Sequence, residues 1–236
     1  MILCILQARM SSTRLPGKVM KPLLGEPMIK RQVDRIRESR KVDQLCVATS
    51  LDPSDDIIES YCQKAGWDCF RGSLTNVLDR YYQASLPYQP DHIVRLTADC
   101  PLSDPEIIDL VLSEHIKTNA DYSSNTIQLT FPDGLDVEIF TSATLKKTWQ
   151  HAKHPDELEH VTRYIHTHPE IFSCHNVAGK SDLSHLRWTV DTSQDFEIVS
   201  KIFEKLFPLN SVFNMKDILN IIEADPALKI NSIHRN

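Results

Sequence analysis

Short apolar runs alternate along this chain with stretches whose apolar residues recur at helical spacing. Residues 2–6 hold no polar side chain, the pattern of a strand buried on both faces. From Pro27 onward, Met28, Ile29, Val33 and Ile36 fall on one helical face, and 44–48 read as a second strand. Asp52-Pro53 sets an N-cap before a proline suited to a first helical turn; Ile57, Ile58, Tyr61 and Ala65 continue the helix, and Gly66 closes it. A strand over 67–70, a helix through Val77, Leu78, Tyr81 and Tyr82, and a strand over 92–96 follow. Asp104-Pro105 then repeats the capping device before Ile107, Ile108, Val111 and Leu112. Strand and helix in strict alternation imply a mostly parallel sheet with right-handed crossovers and helices on both faces.

The second half is less regular. Residues 121–124 and 135–140 read as strands with Pro132-Asp133-Gly134 as a turn between them. Helices are predicted over about 142–148 and 156–166, and strands over 171–176 and 187–190. Thr192 and Asp195 resemble a capping box for a helix whose apolar face is Phe196, Val199, Phe203 and Leu206; a last helix covers about 215–223. The expectation is one α/β domain over 1–236, with an irregular excursion at about 121–180.

Composition narrows the partners. A net charge of -6 argues against a general nucleic-acid or membrane-surface binder, which needs a basic face. The opening apolar run is too short for a signal peptide or a membrane span, and no other stretch approaches the length of one. Six cysteines occur without a C-x-x-C pair, so they are read as reduced thiols in a cytoplasmic protein.

Against that acidic background, Arg9, Arg14 and Lys18 crowd the loop after the first strand. The loop is neither a Walker A motif nor G-x-G-x-x-G, so side-chain cations with loop amides are the candidate holders of a triphosphate. Its other reading is a solvated charged loop. Asp99 and Asp191 each follow a predicted strand, and strand ends of a parallel sheet collect along one edge. Two carboxylates with phosphate oxygens suit Mg²⁺. A strand-end aspartate is also a common helix N-cap, but Asp104 and Thr192 are better placed for that task here. Arg71, after a third predicted strand, could reach a phosphate, ribose or base, or simply lie on the surface. Asp136 and Glu138 share a strand face, where they could bind sugar hydroxyls or face solvent. Five histidines between His151 and His168 lack metal-site spacing and read as a polar helical face, with His160 kept as a substrate contact. Cys100 has no evident histidine partner, which speaks against a thiol nucleophile.

Taken together, Leu6-Gln7-Ala8-Arg9-x-x-Ser12-x-Arg14-Leu15-Pro16-Gly17-Lys18 and Gly25-x-Pro27-Met28-Ile29 resemble the signature of the cytidylyltransferases that activate acidic sugars, the synthetases of CMP-Kdo and CMP-sialic acid. The likeness is closest to the branch called spore coat polysaccharide biosynthesis protein F. There, Phe70-Arg71-Gly72-Ser73, Thr97-Ala98-Asp99-Cys100-Pro101, Asp133-Gly134-Leu135-Asp136-Val137-Glu138, Glu159-His160-Val161-Thr162 and Trp188-Thr189-Val190-Asp191-Thr192 also look familiar. The best-known synthetases carry Pro where this chain has Gln7. The resemblance implies a Rossmann-like nucleotidyltransferase of glycosyltransferase-A type, a homodimer, binding CTP and a small sugar with Mg²⁺. It places the nucleotide on Leu6, Gln7, Ala8, Arg9, Arg14, Lys18 and Arg71, with Arg9, Arg14 and Lys18 on the triphosphate and Ala8 and Arg9 at the cytosine end. It gives catalytic roles to Arg14, Lys18 and Asp99, and the metal to Asp99 and Asp191. The rival readings are a glycosyltransferase that consumes a nucleotide sugar, for which no D-x-D motif is present, and a non-catalytic nucleotide-binding subunit.

Overall fold

The computed structural model describes residues 1–229. In chain order the elements are β1 (Ile2–Gln7), β2 (Pro22–Leu23), β3 (Glu26–Pro27), α1 (Met28–Ile36), β4 (Gln44–Ser50), α2 (Asp56–Ala65), β5 (Asp68–Gly72), α3 (Val77–Ser85), β6 (His92–Thr97), α4 (Pro105–Thr118), β7 (Tyr122–Ser124), β8 (Glu138–Thr141), α5 (Ser142–His151), α6 (Pro155–Glu159), α7 (Arg163–Thr167), β9 (Cys174–Asn176), α8 (Ser193–Leu206) and α9 (Met215–Ala224). Seven strands form one sheet in the order β5-β4-β1-β6-β8-β7-β9. β5, β4, β1 and β6 are mutually parallel, and β8 runs against both of its neighbours. β2 and β3 make a small separate hairpin.

The uniform apolar character of the central strands follows from burial on both faces. On β1, Cys4 and Leu6 point to one core while Leu3 and Ile5 point to the other; Leu45 and Val47 against Cys46 and Ala48 repeat this on β4. The first core is closed by Met28, Ile29, Val33 and Ile36 of α1, Ile107, Ile108, Val111 and Leu112 of α4, and the apolar stripes of α8 and α9. The second is closed by Val77, Leu78, Tyr81 and Ala84 of α3, Leu145 of α5 and Ile165 of α7. Helices therefore cover both faces, as the alternating pattern predicts.

The caps read from sequence hold. The Asp104 side chain accepts from Glu106 N with Pro105 in the first turn, Gly66 ends α2 with φ 66°, and Thr192 and Asp195 cap α8 reciprocally. Four expectations change, the simplest being the strand expected over 171–176, which shortens to Cys174–Asn176. The helix predicted over 156–166 breaks into α6 and α7, because Val161 takes φ 35° while the Thr162 hydroxyl donates to Glu138 Oε1 at 2.7 Å. Such a φ is unusual for a β-branched residue and interrupts the helical ladder. The strand expected over 135–140 begins only at Glu138. Before it, the Asn125 side chain takes the partner strand's place, accepting from Val137 N at 2.9 Å and donating to Leu135 O at 2.8 Å. The 187–190 strand reduces to an extended segment with one bridge, Arg187 to Asp133.

Candidate active site

The carboxyl ends of β1 and β6 lie side by side, paired from Ile2–His92 to Gln7–Thr97. The loop after β1 leaves this edge under firm control. Ala8 N donates to Ala48 O at 3.0 Å, which extends the β1–β4 register by one step. Met10 N then donates to Asp55 Oδ1 at 2.7 Å, while Asp55 Oδ2 accepts from Ser50 N at 3.1 Å and Ser50 Oγ at 2.5 Å. Buried Asp55 thus pins the basic loop to the β4–α2 turn. Gly17 N returns to Met10 O at 2.9 Å, and Gly17 at φ 72° turns the chain into a short 3₁₀ turn, Lys18–Met20. That left-handed turn favours glycine, and a Cβ there would also press on the Met10 side chain.

The turn aims Lys18 inward. Its ammonium is largely buried and donates to Val190 O at 2.8 Å, Asp191 Oδ1 at 3.0 Å and Asp99 Oδ2 at 3.2 Å. Asp99 arrives from the loop after β6, and Ala98 N is bonded to Gln7 O at 2.8 Å. Asp191 arrives from the extended segment, whose Val190 N donates to Asp99 O at 2.8 Å. Asp191 sits just before α8, with its backbone N–H bonded to the capping carboxylate of Asp195 at 2.9 Å. Arg14 and Arg187 both reach Asp191 Oδ2, at 2.8 and 2.6 Å. Burial pushes the Asp191 carboxyl up, but hydrogen bonds from Lys18 and Arg187 and the charges of Lys18 and Arg14 hold it below the usual carboxylate range.

Above this cluster lies a cavity of about 360 Å³ lined by Gln7, Ala8, Arg9, Ser12 and Thr13 on one side and Thr97, Ala98, Asp99 and Asp191 on the other, with Arg14 and Lys18 among its walls. Its size is that of a small-ligand site. Three cations with two carboxylates at the edge of a parallel sheet can hold a polyphosphate, with the cations exchanging their carboxylate partners for phosphate oxygens. A second cavity of about 200 Å³, lined by Arg95, Leu96, Thr97, Thr126, Asp136 and Glu138, shares Thr97 with the first.

Gln7, Ala8, Arg9, Arg14, Lys18, Asp99 and Asp191 are thus brought together. Other candidates lie elsewhere. The Leu6 side chain is sealed in the core under the sheet edge. Arg71 is spent on structure: its guanidinium meets Ser50 O, Asp52 O, Asp56 and Glu59, all within 3.0 Å, tying β5 to the β4–α2 turn and α2. His160 is an exposed residue at the end of α6 and lines neither cavity. Glu138 does line the second cavity, yet both oxygens are engaged, one by Arg95 and the other by Tyr122 Oη at 2.8 Å and Thr162 Oγ1 at 2.7 Å. Asp136 lines the same cavity, half-buried. Cys100 is buried, and burial beside Asp99 pushes its thiol up, away from a nucleophile's range.

Sequence reasoning missed Arg187, which bridges Asp133 at 2.8 Å, Asp191, and Asp195 at 3.4 Å. The signal was available in the spacing of Arg187, Asp191 and Asp195, four residues apart at a helix entrance. It also missed Asp55 and Arg80. Arg80 is fully buried, its aliphatic stem against Gly72, and its Nε and Nη1 have no hydrogen-bond partner. Among the described residues, no group of three or more His, Cys, Asp or Glu side chains could hold a metal ion unaided.

The cytidylyltransferase family model matches residues 3–225. Spore coat polysaccharide biosynthesis protein SpsF of Bacillus subtilis is 36% identical over 211 residues, 86% of this chain and 87% of that protein. A cytidylyltransferase structure from Leptospira borgpetersenii superposes with a TM-score of 0.92 at 32% identity, covering 100% of this chain and 99% of that one. A CMP:2-keto-3-deoxy-manno-octonic acid synthetase complexed with CTP shares the fold at a TM-score of 0.67 and 18% identity, over 86% of this chain and 98% of that one.

Proposed function

The chain belongs to the cytidylyltransferase family, and from that premise we propose that it activates a sugar by transferring CMP from CTP to a sugar hydroxyl, for surface polysaccharide or glycan synthesis. One observation carries the reading: the Lys18 ammonium is fixed between Asp99 and Asp191 at the cavity where Arg9 and Arg14 also point. The SpsF relative and the CTP-complexed synthetase of the same fold support the choice of nucleotide and product.

CTP enters the larger cavity, and its triphosphate draws Arg9, Arg14 and Lys18 onto phosphate oxygens. The sugar hydroxyl, held in the adjoining cavity, attacks the α-phosphorus in line. A new P–O bond forms as the bond to pyrophosphate breaks, and the hydroxyl proton is released. The protein's part is positioning and charge neutralisation, because phosphoryl transfer asks for little covalent help. Arg187 keeps Asp191 oriented while Lys18 and Arg14 change partners. Asp99 and Asp191 would hold Mg²⁺: their carboxylates already converge on one cation, the ammonium of Lys18, and a carboxylate pair beside a triphosphate is a donor set suited to that ion. When bound, it would supply further neutralisation of the triphosphate.

Pyrophosphate release from CTP, Mg²⁺ and a sugar panel tests the reading, alongside thermal shift with the four nucleoside triphosphates. The expected result is selective stabilisation by CTP, since a ligand bound only by the folded state raises the melting temperature. Equal stabilisation by all four, or none, would overturn it. Release of free nucleotide from a sugar nucleotide in the same assay would instead identify a glycosyltransferase.

A further inference from the structure

The charges around Lys18 bear on the order in which the site fills. The Lys18 side chain is only 9% exposed, so its ammonium has exchanged most of its water for protein oxygens. Those oxygens are Val190 O at 2.8 Å, Asp191 Oδ1 at 3.0 Å and Asp99 Oδ2 at 3.2 Å. An ammonium has three donors, and all three are in use. The two carboxylates thus each turn one oxygen toward the same cation. The second oxygen of Asp191 is taken by Arg14 and Arg187. These two arginines differ in how firmly they are held. Arg14 is largely exposed, and among the described residues Asp191 is the one carboxylate it meets. Arg187 is mostly buried and is braced from two further points, Asp133 at 2.8 Å and Asp195 at 3.4 Å. Three cations therefore face Asp99 and Asp191 in the free protein, and Arg187 is the one fixed in place.

We propose, building on the cytidyl-transfer reading, that Lys18 is the nucleotide-free protein's stand-in for a divalent metal: its ammonium holds Asp99 and Asp191 together, and they accept a metal only once a triphosphate has drawn Lys18 away. A dication and the ammonium compete for the same two oxygens, Asp99 Oδ2 and Asp191 Oδ1. They cannot share them, because like charges so close repel strongly where solvent is scarce. The triphosphate resolves the competition by offering the ammonium several phosphate oxygens, and the flexible lysine stem permits the move. Arg187 keeps Asp191 in place during the exchange, since two other carboxylates hold it. Without a cation between them, Asp99 and Asp191 would repel each other. Lys18 therefore keeps the site assembled between turnovers, and metal and nucleotide enter it together.

Titration of the whole, nucleotide-free protein with Mn²⁺, a paramagnetic substitute for Mg²⁺, tests this without any turnover. Electron paramagnetic resonance reads the loss of the free aqueous ion as it binds. The wild-type protein is expected to bind Mn²⁺ only in the millimolar range. Lys18→Met, close in shape but uncharged, should bind it at least tenfold more tightly. Lys18→Arg keeps a cation and should not gain. Adding Asp191→Asn to Lys18→Met should remove the gain, which locates the ion. Equal affinity of the wild type and Lys18→Met overturns the proposal, as does a gain in Lys18→Arg or one that survives Asp191→Asn. If Lys18→Met fails to fold, the wild type decides alone: micromolar binding without nucleotide overturns the proposal, and millimolar binding supports it. Loss of selective stabilisation by CTP is a separate result. It removes the cytidyl-transfer reading and leaves the Mn²⁺ comparison intact, so the two failures are told apart.

Discussion

Lys18 spends its ammonium on three oxygens from two segments that never approach it in sequence. Replacing it with Ala removes a preorganised charge and should lower turnover at least about a hundredfold, the scale of losing one such contact. The fold should survive, because Arg14 and Arg187 still hold Asp191 and Val190 N still bonds Asp99 O. Steady-state kinetics beside a melting curve separates the two effects, and an unchanged turnover number removes Lys18 from the mechanism. Gly134 makes the complementary case. It has φ 107°, and a Cβ would lie 2.6 Å from Thr189 N and 2.7 Å from Trp188 C, where only backbone could move. Gly134→Ala should cost at least about 3 kcal/mol by denaturant unfolding. It should also lower activity, because Thr189 leads directly to Asp191. Gly66→Ala is the control: φ is 66° but nothing lies within 4 Å, so about 1 kcal/mol is expected.

β6 and β8 run antiparallel, with Arg95 opposite Glu138 in register. Their charged pair is mostly buried and also holds Tyr122 of β7 and Thr162 at the α6–α7 break. Glu138→Ala strands a guanidinium and should cost about 3–5 kcal/mol, whereas Arg95→Met combined with Glu138→Leu should recover most of that loss. Denaturant midpoints of the single and double variants check it; a double variant as unstable as Glu138→Ala would show that the pair is not the source. The same contacts explain why the sequence misreads this region. A helical pattern continues through 156–166, but the Thr162 hydroxyl is claimed by a carboxylate from a strand far earlier in the chain. Local periodicity carries no trace of that claim.

At the scale of the whole molecule, the amino end of the sheet has its own chemistry. His115 of α4 is buried, with Nε2 3.1 Å from His92 Nδ1 and Nδ1 2.9 Å from Ser123 Oγ. Burial, then the charge of His92, pulls His115 down to about 4, with nearby Asp121 opposing. As pH falls below about 6.5, the unfolded chain takes up a proton that the folded protein refuses until about 4, so stability falls across that window. His92, also lowered by burial, adds in the same direction. Below it, the depressed carboxyls of Asp191 and Glu138 continue the loss, because the unfolded chain again protonates first. Melting temperature against pH should therefore begin to decline near 6.5, and His115→Gln should flatten the upper part of that decline. An unchanged slope would assign it to other groups. By itself the sequence determined the strands at 2–6, 44–48 and 92–96, the aspartate and glycine caps, the mostly parallel sheet and the basic loop, because periodicity, capping and φ preference are settled among near neighbours. Tertiary structure alone decided that Lys18 meets Asp99 and Asp191, that Arg71 braces a turn while Arg187 serves the site, and that Glu138 is locked to Arg95. Those outcomes depend on strand order and on segments crossing the sheet edge, which bring together groups that no local pattern relates.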